Sequence, residues 1–356
     1  MKKELYEYKL DLFYYGVNLT DSAYKNLKKG KNNQVNHDDY ITTKGLLLCL
    51  ENQVYVNANL NKNSRYKIDY IDKKFILSES SEICQVHIFQ PPNFALQTTK
   101  LPNGLPITNF VNIHGDRIRI QPIGGCANRC KFCDLNQIKY QLHSISDLEQ
   151  AFLYALENHG FKHILISGGS PRNSNSDFQY LTEVYQYFGS KYGKRFPIDV
   201  MLVPRGLEPG KDSKQDYYNF LTKLKSWNIT GIYANLELYN DSLRKKYIPQ
   251  KDDIGKEKYY EFLKIATEVF GKENIKSCII IGLEEVEDSL KAVEELCSLG
   301  CMPVLSPYVP IDNEISSPTP EMMKKVLIQA QKIADKYKVA LGPSCNLCKH
   351  NTIHFN

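Results

Sequence analysis

RIRIQPIGGCANRCKFCDL, Arg117 to Leu135, joins a short β-type run to a loop that carries three cysteines, Cys126, Cys130 and Cys133. The run Arg117 to Ile123 reads as a strand, and Gly124 and Gly125 end it. The thiols therefore leave a strand end. Thiolates bind iron or zinc, and spacings of four and three let one loop wrap its sulfurs around a single centre. Three ligands from one loop leave a coordination position open unless another residue closes it.

Outward from this stretch the chain repeats one unit. Strand candidates are Arg117 to Ile123, His163 to Ser167, Ile198 to Val203, Gly231 to Leu236, Ser277 to Ile281 and Met302 to Ser306. Their apolar runs predict strands buried on both faces. Helical patterns follow at Phe178 to Tyr192, Tyr217 to Trp227, Lys258 to Phe270, Val286 to Leu299 and Glu321 to Lys336. The first helix has Ser146-Asp-Leu-Glu149 as a capping box and Gly160 as its stop. Six strand–helix units in strict order make an α/β layer with a parallel sheet. An open doubly wound sheet and a barrel share this pattern, and both place function at the C-terminal strand ends.

The first 110 residues differ. They are rich in Tyr, Asn and Lys, with strand-like pieces at Gln53 to Ala58, Tyr66 to Tyr70 and Phe75 to Leu77, and predict a smaller β-rich or α+β domain. Pro91-Pro92 and Pro102-Asn-Gly104 mark a connecting stretch. The expected division is residues 1–110 as an accessory domain covering the barrel or binding substrate, 111–338 as the repeating units, and 339–356 as a tail. The 45 basic and 40 acidic residues leave +5, too even a mixture for a nucleic-acid footprint. Charges interrupt MKKELYEYKLDLFYYG, and LLLCL at Leu46 to Leu50 is too short to cross a bilayer, so a cytoplasmic protein without membrane attachment is expected. Of ten cysteines, Cys49, Cys84, Cys278, Cys297 and Cys301 read as small buried apolar residues. The other five fall in two clusters.

The C-x3-C-x2-C triplet, with Phe132 just before its last cysteine, resembles the signature of the radical SAM superfamily. The six units resemble that superfamily's (β/α)6 partial TIM barrel, so the likeness runs from Arg117 to Lys336. It implies an oxygen-sensitive [4Fe-4S] cluster on Cys126, Cys130 and Cys133, S-adenosylmethionine on the open iron, and a 5'-deoxyadenosyl radical that abstracts hydrogen from a small-molecule or peptide substrate. It also implies an electron donor such as flavodoxin or ferredoxin.

The same resemblance nominates the rest of a SAM site. Gly168, Gly169 and Ser170 stand where the family has a GGE-like motif, Ser170 replacing its Glu. Asn235 and Glu237, alternating on the fourth strand, would meet the SAM ribose or amino acid part, and Arg244 its carboxylate. Cys278 to Glu284, including Ile281, resembles the segment that packs on adenine, with Tyr308 nearby. Arg205 is a candidate for a substrate carboxylate or phosphate; for it and Arg244 a surface role uses the same residues equally well. Cys345-x2-Cys348 in the tail makes half of a metal site completed by His350, His354 or another group, or a redox pair, or two buried thiols.

Two other functions use these residues. A structural zinc site closed by Cys345 or Cys348 would make the chain a metal-binding or redox scaffold, and a radical SAM enzyme acting on RNA would share the barrel. No G-x4-G-K-[ST], G-x-G-x2-G or HExxH motif occurs.

Overall fold

The computed structural model describes residues 3–30, 33–36, 45–311 and 315–354. The chain starts with helix α1 (Leu5–Tyr15), which stops where Gly16 takes φ 65° and its N–H reaches Leu12 O. Then come β1 (Asn18–Leu19), α2 (Asp21–Lys25), β2 (Leu46–Leu50), β3 (Val54–Ala58), β4 (Lys67–Ile71), β5 (Lys74–Ser78) and β6 (Glu82–Phe89). They form one sheet ordered β1-β4-β5-β6-β2-β3, antiparallel except for the β1–β4 pair. The run LLLCL is β2, inside this sheet between β6 and β3 and buried along its whole length. Leu48, Val56, Ile68 and Leu77 join Leu12 of α1 in a core of their own.

Beyond α3 (Asn93–Leu96), β7 (Val111–His114) and β8 (Arg117–Ile120) form a hairpin. The short β9 (Ile123–Gly124) and β10 (Gln141–Leu142) follow, then α4 (Ile145–Asn158), β11 (His163–Ile166), α5 (Asn175–Tyr192), β12 (Ile198–Met201), α6 (Lys214–Ser226) and β13 (Gly231–Tyr233). Next are α7 (Asp241–Tyr247), α8 (Pro249–Ile254), α9 (Lys256–Phe270), β14 (Ile275–Ile281), α10 (Val286–Ser298), β15 (Met302–Pro307) and α11 (Pro320–Tyr337). The sheet order is β15-β14-β13-β12-β11-β8-β7, with six parallel strands in chain order and β7 antiparallel at one edge. All six expected units are present, and the architecture is a partial (β/α)6 barrel.

Two expectations shift. The first barrel helix is capped by Ser144, whose hydroxyl accepts from Asp147 N, two residues before the expected capping box; Gly160, φ 78°, follows its end as anticipated. The strands are not apolar on both faces. Ile118, Ile120, Ile164, Ile166, Ile198 and Val200 pack into the helix-facing core, while Arg117, Arg119, Gln121, Ser167, Cys278 and Ser306 line the interior. RIRIQPI therefore alternates with period two, and its arginines point inward. A barrel built this way keeps a polar lumen.

After α11 the tail crosses the open side. Gly342 N donates to Pro303 O at 2.8 Å, Ile353 N to Leu305 O at 2.9 Å, and Ser306 Oγ to Asn351 O at 3.2 Å. From the other end of the chain, buried Lys9 of α1 donates to Lys349 O and His354 O, both at 3.0 Å. Among the described residues no helix is long and apolar enough to cross a membrane.

Burial lowers the Lys9 ammonium from 10.5 to about 7. Between those values the unfolded chain holds the proton that the folded chain has lost, so stability rises as pH increases from 7 to 10.5. Lys9→Met is expected to flatten that rise, which for the native chain is on the order of a few kcal/mol. Urea midpoints of both proteins across this range measure it.

Candidate active site

The cysteine loop is built by what closes it. Antiparallel pairing of Ile123 with Leu142 and Gly124 with Gln141 forms its neck. Gly125, φ 69°, sits where a Cβ would lie 2.4 Å from Ile138 O. Inside, Asn136 Nδ2 donates to Cys130 O at 3.0 Å and Cys133 O at 3.2 Å, and Lys131 N reaches Tyr247 O at 2.9 Å. Phe132 and Cys133 pack on a small apolar cluster of Cys130, Leu238, Tyr247, Ile280 and Tyr308.

The end of β11 clasps this loop from one side. Ser170 N donates to Cys126 Sγ at 3.1 Å, Ala127 N to Ser170 O at 3.1 Å, and Asn128 Nδ2 to Ser170 Oγ at 3.0 Å. A Cβ on Gly169 would stand 1.7 Å from Gly125 O, so the two backbones touch where any side chain would separate them. Gly168, φ 143°, lies in a region that favours glycine. Ser170, in place of the expected Glu, ties the two loops together through its backbone and hydroxyl.

On the opposite wall Glu237 follows β13 with φ 67°, held by its N–H to Cys278 O at 2.8 Å and its carbonyl from Ile280 N at 2.9 Å. Its carboxylate is buried; Oε1 meets Lys251 Nζ at 2.6 Å, and Oε2 has no hydrogen-bond partner. Burial opposes the Lys251 charge, but the Glu237 carboxylate outweighs it and raises the ammonium above its ordinary value. Asn235 Oδ1 accepts from Cys278 N at 3.2 Å.

One cleft brings together Cys126, Cys130, Cys133, Phe132, Gly168, Gly169, Ser170, Asn235 and Glu237. It continues into the lumen past Phe132, Met201, Cys278, Ile280 and Tyr308. Two expected residues stand elsewhere. Arg244 is fully buried, its Nη1 donating to Leu236 O and Leu238 O at 2.9 Å and its Nη2 to Lys251 O at 3.3 Å, so it braces the backbone that presents Glu237 and Lys251 instead of lining the cleft. Ile281 points into the helix-facing core, and its neighbour Ile280 lines the lumen, as strand alternation requires. Arg205 is buried at the cleft edge, bonded to Phe178 O and Thr182 Oγ1, with Nη1 unpartnered. Sequence reading missed Lys251, which lies in the charged segment PQKDDI and reads there as a solvated lysine.

A family model described as the Radical SAM superfamily matches residues 120–297, half of the chain. The chain belongs to the radical SAM superfamily. It is an enzyme of that superfamily, and membership implies an iron–sulfur cluster and S-adenosylmethionine. Among solved structures it is similar to a radical SAM methyltransferase from Sphaerobacter thermophilus, with 14% identity, TM-score 0.49, and 76% of this chain and 72% of that chain covered. It is also similar to the FeFe-hydrogenase maturase HydG from Carboxydothermus hydrogenoformans, with 17% identity, TM-score 0.47, and 67% and 57% covered. A third is Streptococcus suis SuiB bound to S-adenosylmethionine, with 14% identity, TM-score 0.47, and 67% and 53% covered. No curated protein matches the sequence.

The donors fit what this family requires. Three thiols share one cleft, and the same cleft is lined by the glycine pair Gly168 and Gly169 and by Glu237, whose buried Oε2 has no hydrogen-bond donor. Burial and then the Glu237 carboxylate push the Cys130 thiol up to about 12, so metal must displace a proton there. Truncating either member of the buried Glu237–Lys251 pair leaves the other uncompensated, so Lys251→Met is expected to cost about 3–5 kcal/mol. Glu237→Leu combined with Lys251→Met should cost less than the two single changes added, as urea unfolding of the three variants will show.

Proposed function

We propose that the chain reductively cleaves S-adenosylmethionine at a [4Fe-4S] cluster held by Cys126, Cys130 and Cys133, and that the product radical abstracts hydrogen from a small-molecule or peptide substrate in the barrel lumen. When bound, the cluster supplies an open iron for the SAM amino and carboxylate groups and the electron whose transfer breaks the sulfonium bond, giving methionine and a 5'-deoxyadenosyl radical. The observation that carries this reading is the single cleft shared by the three cysteines, Gly168, Gly169, Asn235 and Glu237.

The chain's own residues bind and orient. Gly168 and Gly169 line the cleft and offer backbone groups to the SAM amino group, and their missing side chains let the two strand ends meet. Glu237 Oε2 accepts from an N–H of the SAM amino group or from a ribose hydroxyl, and Lys251 on Oε1 keeps the carboxylate fixed. Phe132, Met201 and Ile280 wall the passage from cleft to lumen. Arg205 lies at the cleft edge against the Phe178 and Phe220 rings; burial lowers its guanidinium to about 10, which leaves it cationic at neutral pH and suited to a substrate carboxylate or phosphate. Flavodoxin or ferredoxin is the matching electron-donor class, and the protein acts away from membranes and nucleic acid, in the cytoplasm.

The test is an EPR spectrum of anaerobically reconstituted, reduced protein with and without SAM, followed by quantifying 5'-deoxyadenosine. A [4Fe-4S] signal that SAM perturbs is expected, and changing any one of the three cysteines to Ala should remove both signal and cleavage. Cleavage retained in the triple variant refutes the assignment. Gly169→Ala should lower SAM cleavage at least about 10-fold, equivalent to about 1.4 kcal/mol of lost transition-state binding.

A further inference from the structure

The N-terminal ends of the barrel strands hold a second group of metal-binding side chains, remote from the cysteine loop. Asp116 precedes β8, His163 opens β11, and Cys345 and Cys348 come from the tail. One ligand atom from each of the four lies within 4.8 Å of all the others. His163 Nε2 stands 3.3 Å from Cys348 Sγ, Cys345 Sγ is 3.3 Å from Asp116 Oδ1, and His163 Nδ1 is 4.0 Å from Asp116 Oδ1. We propose that Asp116, His163, Cys345 and Cys348 form a tetrahedral site for a divalent transition metal of the zinc class, which clasps the tail across the open side of the barrel.

The donor chemistry selects the ion class. Two thiolates, an imidazole and a carboxylate make a borderline-soft set that suits zinc, whereas calcium and magnesium take oxygen shells. Zinc bonds of roughly 2.0–2.3 Å place tetrahedral ligands about 3.3–3.8 Å apart, so the four donors need close in by only about 1 Å. Charge is balanced locally. Lys162 Nζ lies 3.7 Å from Asp116 Oδ2, and the Arg117 guanidinium, whose Nε is buried without a hydrogen-bond partner, lines the same hollow as Cys345 and Cys348.

Topology gives the ion its task. The last strand, β15, holds the tail at Gly342 and Ile353, and the metal would bind residues between those points to β8 and β11. The last parallel strand is thereby joined to the first two at one end. His350 and His354 lie outside this four-donor group, and His350 is buried against Leu347 O at 2.6 Å and stacks on His114. Five residues separate His163 from Gly168 along one strand direction, roughly 16 Å at 3.3 Å per residue, so the site serves the scaffold and not the SAM cleft.

The experiment uses the full-length chain with Cys126, Cys130 and Cys133 all replaced by Ala, so that the result is independent of any cluster in the loop. Metal-free, reduced protein is titrated anaerobically with cobalt(II) and then with zinc. One cobalt per chain with intense tetrahedral visible bands and a thiolate charge-transfer band, displaced by one zinc, is expected. Cys345→Ser with Cys348→Ser should abolish the bands, and His163→Gln should weaken zinc binding by more than the roughly 10–100-fold typical of losing an outer-shell partner. His163→Cys keeps a ligand and should retain cobalt with a stronger charge-transfer band. Circular dichroism verifies folding of each variant. Absence of the bands in the folded parent, bands unchanged by the double serine substitution, or a Cys345–Cys348 disulfide that forms in preference to metal binding would each overturn the proposal.

Discussion

At Gly169 the ends of the first two barrel strands approach so closely that no side chain fits between them. That contact fixes the position of the cysteine loop, because Ser170 then reaches Cys126 and Asn128 with directed hydrogen bonds. Everything on the facing wall is placed relative to it. The β13 end turns at Glu237 through a left-handed residue, and buried Arg244 gathers the carbonyls that hold this turn. A loop carrying three thiols is thus seated on rigid backbone from several strands, as a site that must hold reactive groups at a fixed distance requires.

The barrel was legible from the sequence because its signals are local. Each strand is a short apolar run, each helix carries its own period, and a three-thiol loop after the first strand marks the functional edge. The N-terminal part was less so: β2 reads as an apolar run without partners, and only pairing with β3 and β6 makes it an interior strand. Alternation in the barrel strands was obscured because their apolar residues suggest burial on both faces, and the inward place of Arg117 and Arg119 shows only once the lumen is seen to be polar.

The candidate site divides the same way. Glycines and cysteines announced themselves through spacing, whereas Lys251 and Arg244 could be sorted only by long-range packing. Both sit in charged helices, yet one faces a buried carboxylate and the other braces backbone. Asp116 and His163 carry no motif at all. Their proximity to Cys345 and Cys348 spans 229 and 185 residues of chain and depends on how the tail returns to the start of the barrel.

The hold of Lys9 on that tail bears on how the molecule is made. Its two acceptors lie 340 and 345 residues away, so they leave the ribosome long after α1 has emerged. During that interval the Lys9 ammonium has water as its partner, and the hollow it will fill does not exist. Docking of the tail onto α1 therefore comes late relative to the making of that helix, when an amine that began in solvent is sealed beneath a segment translated 340 residues after it.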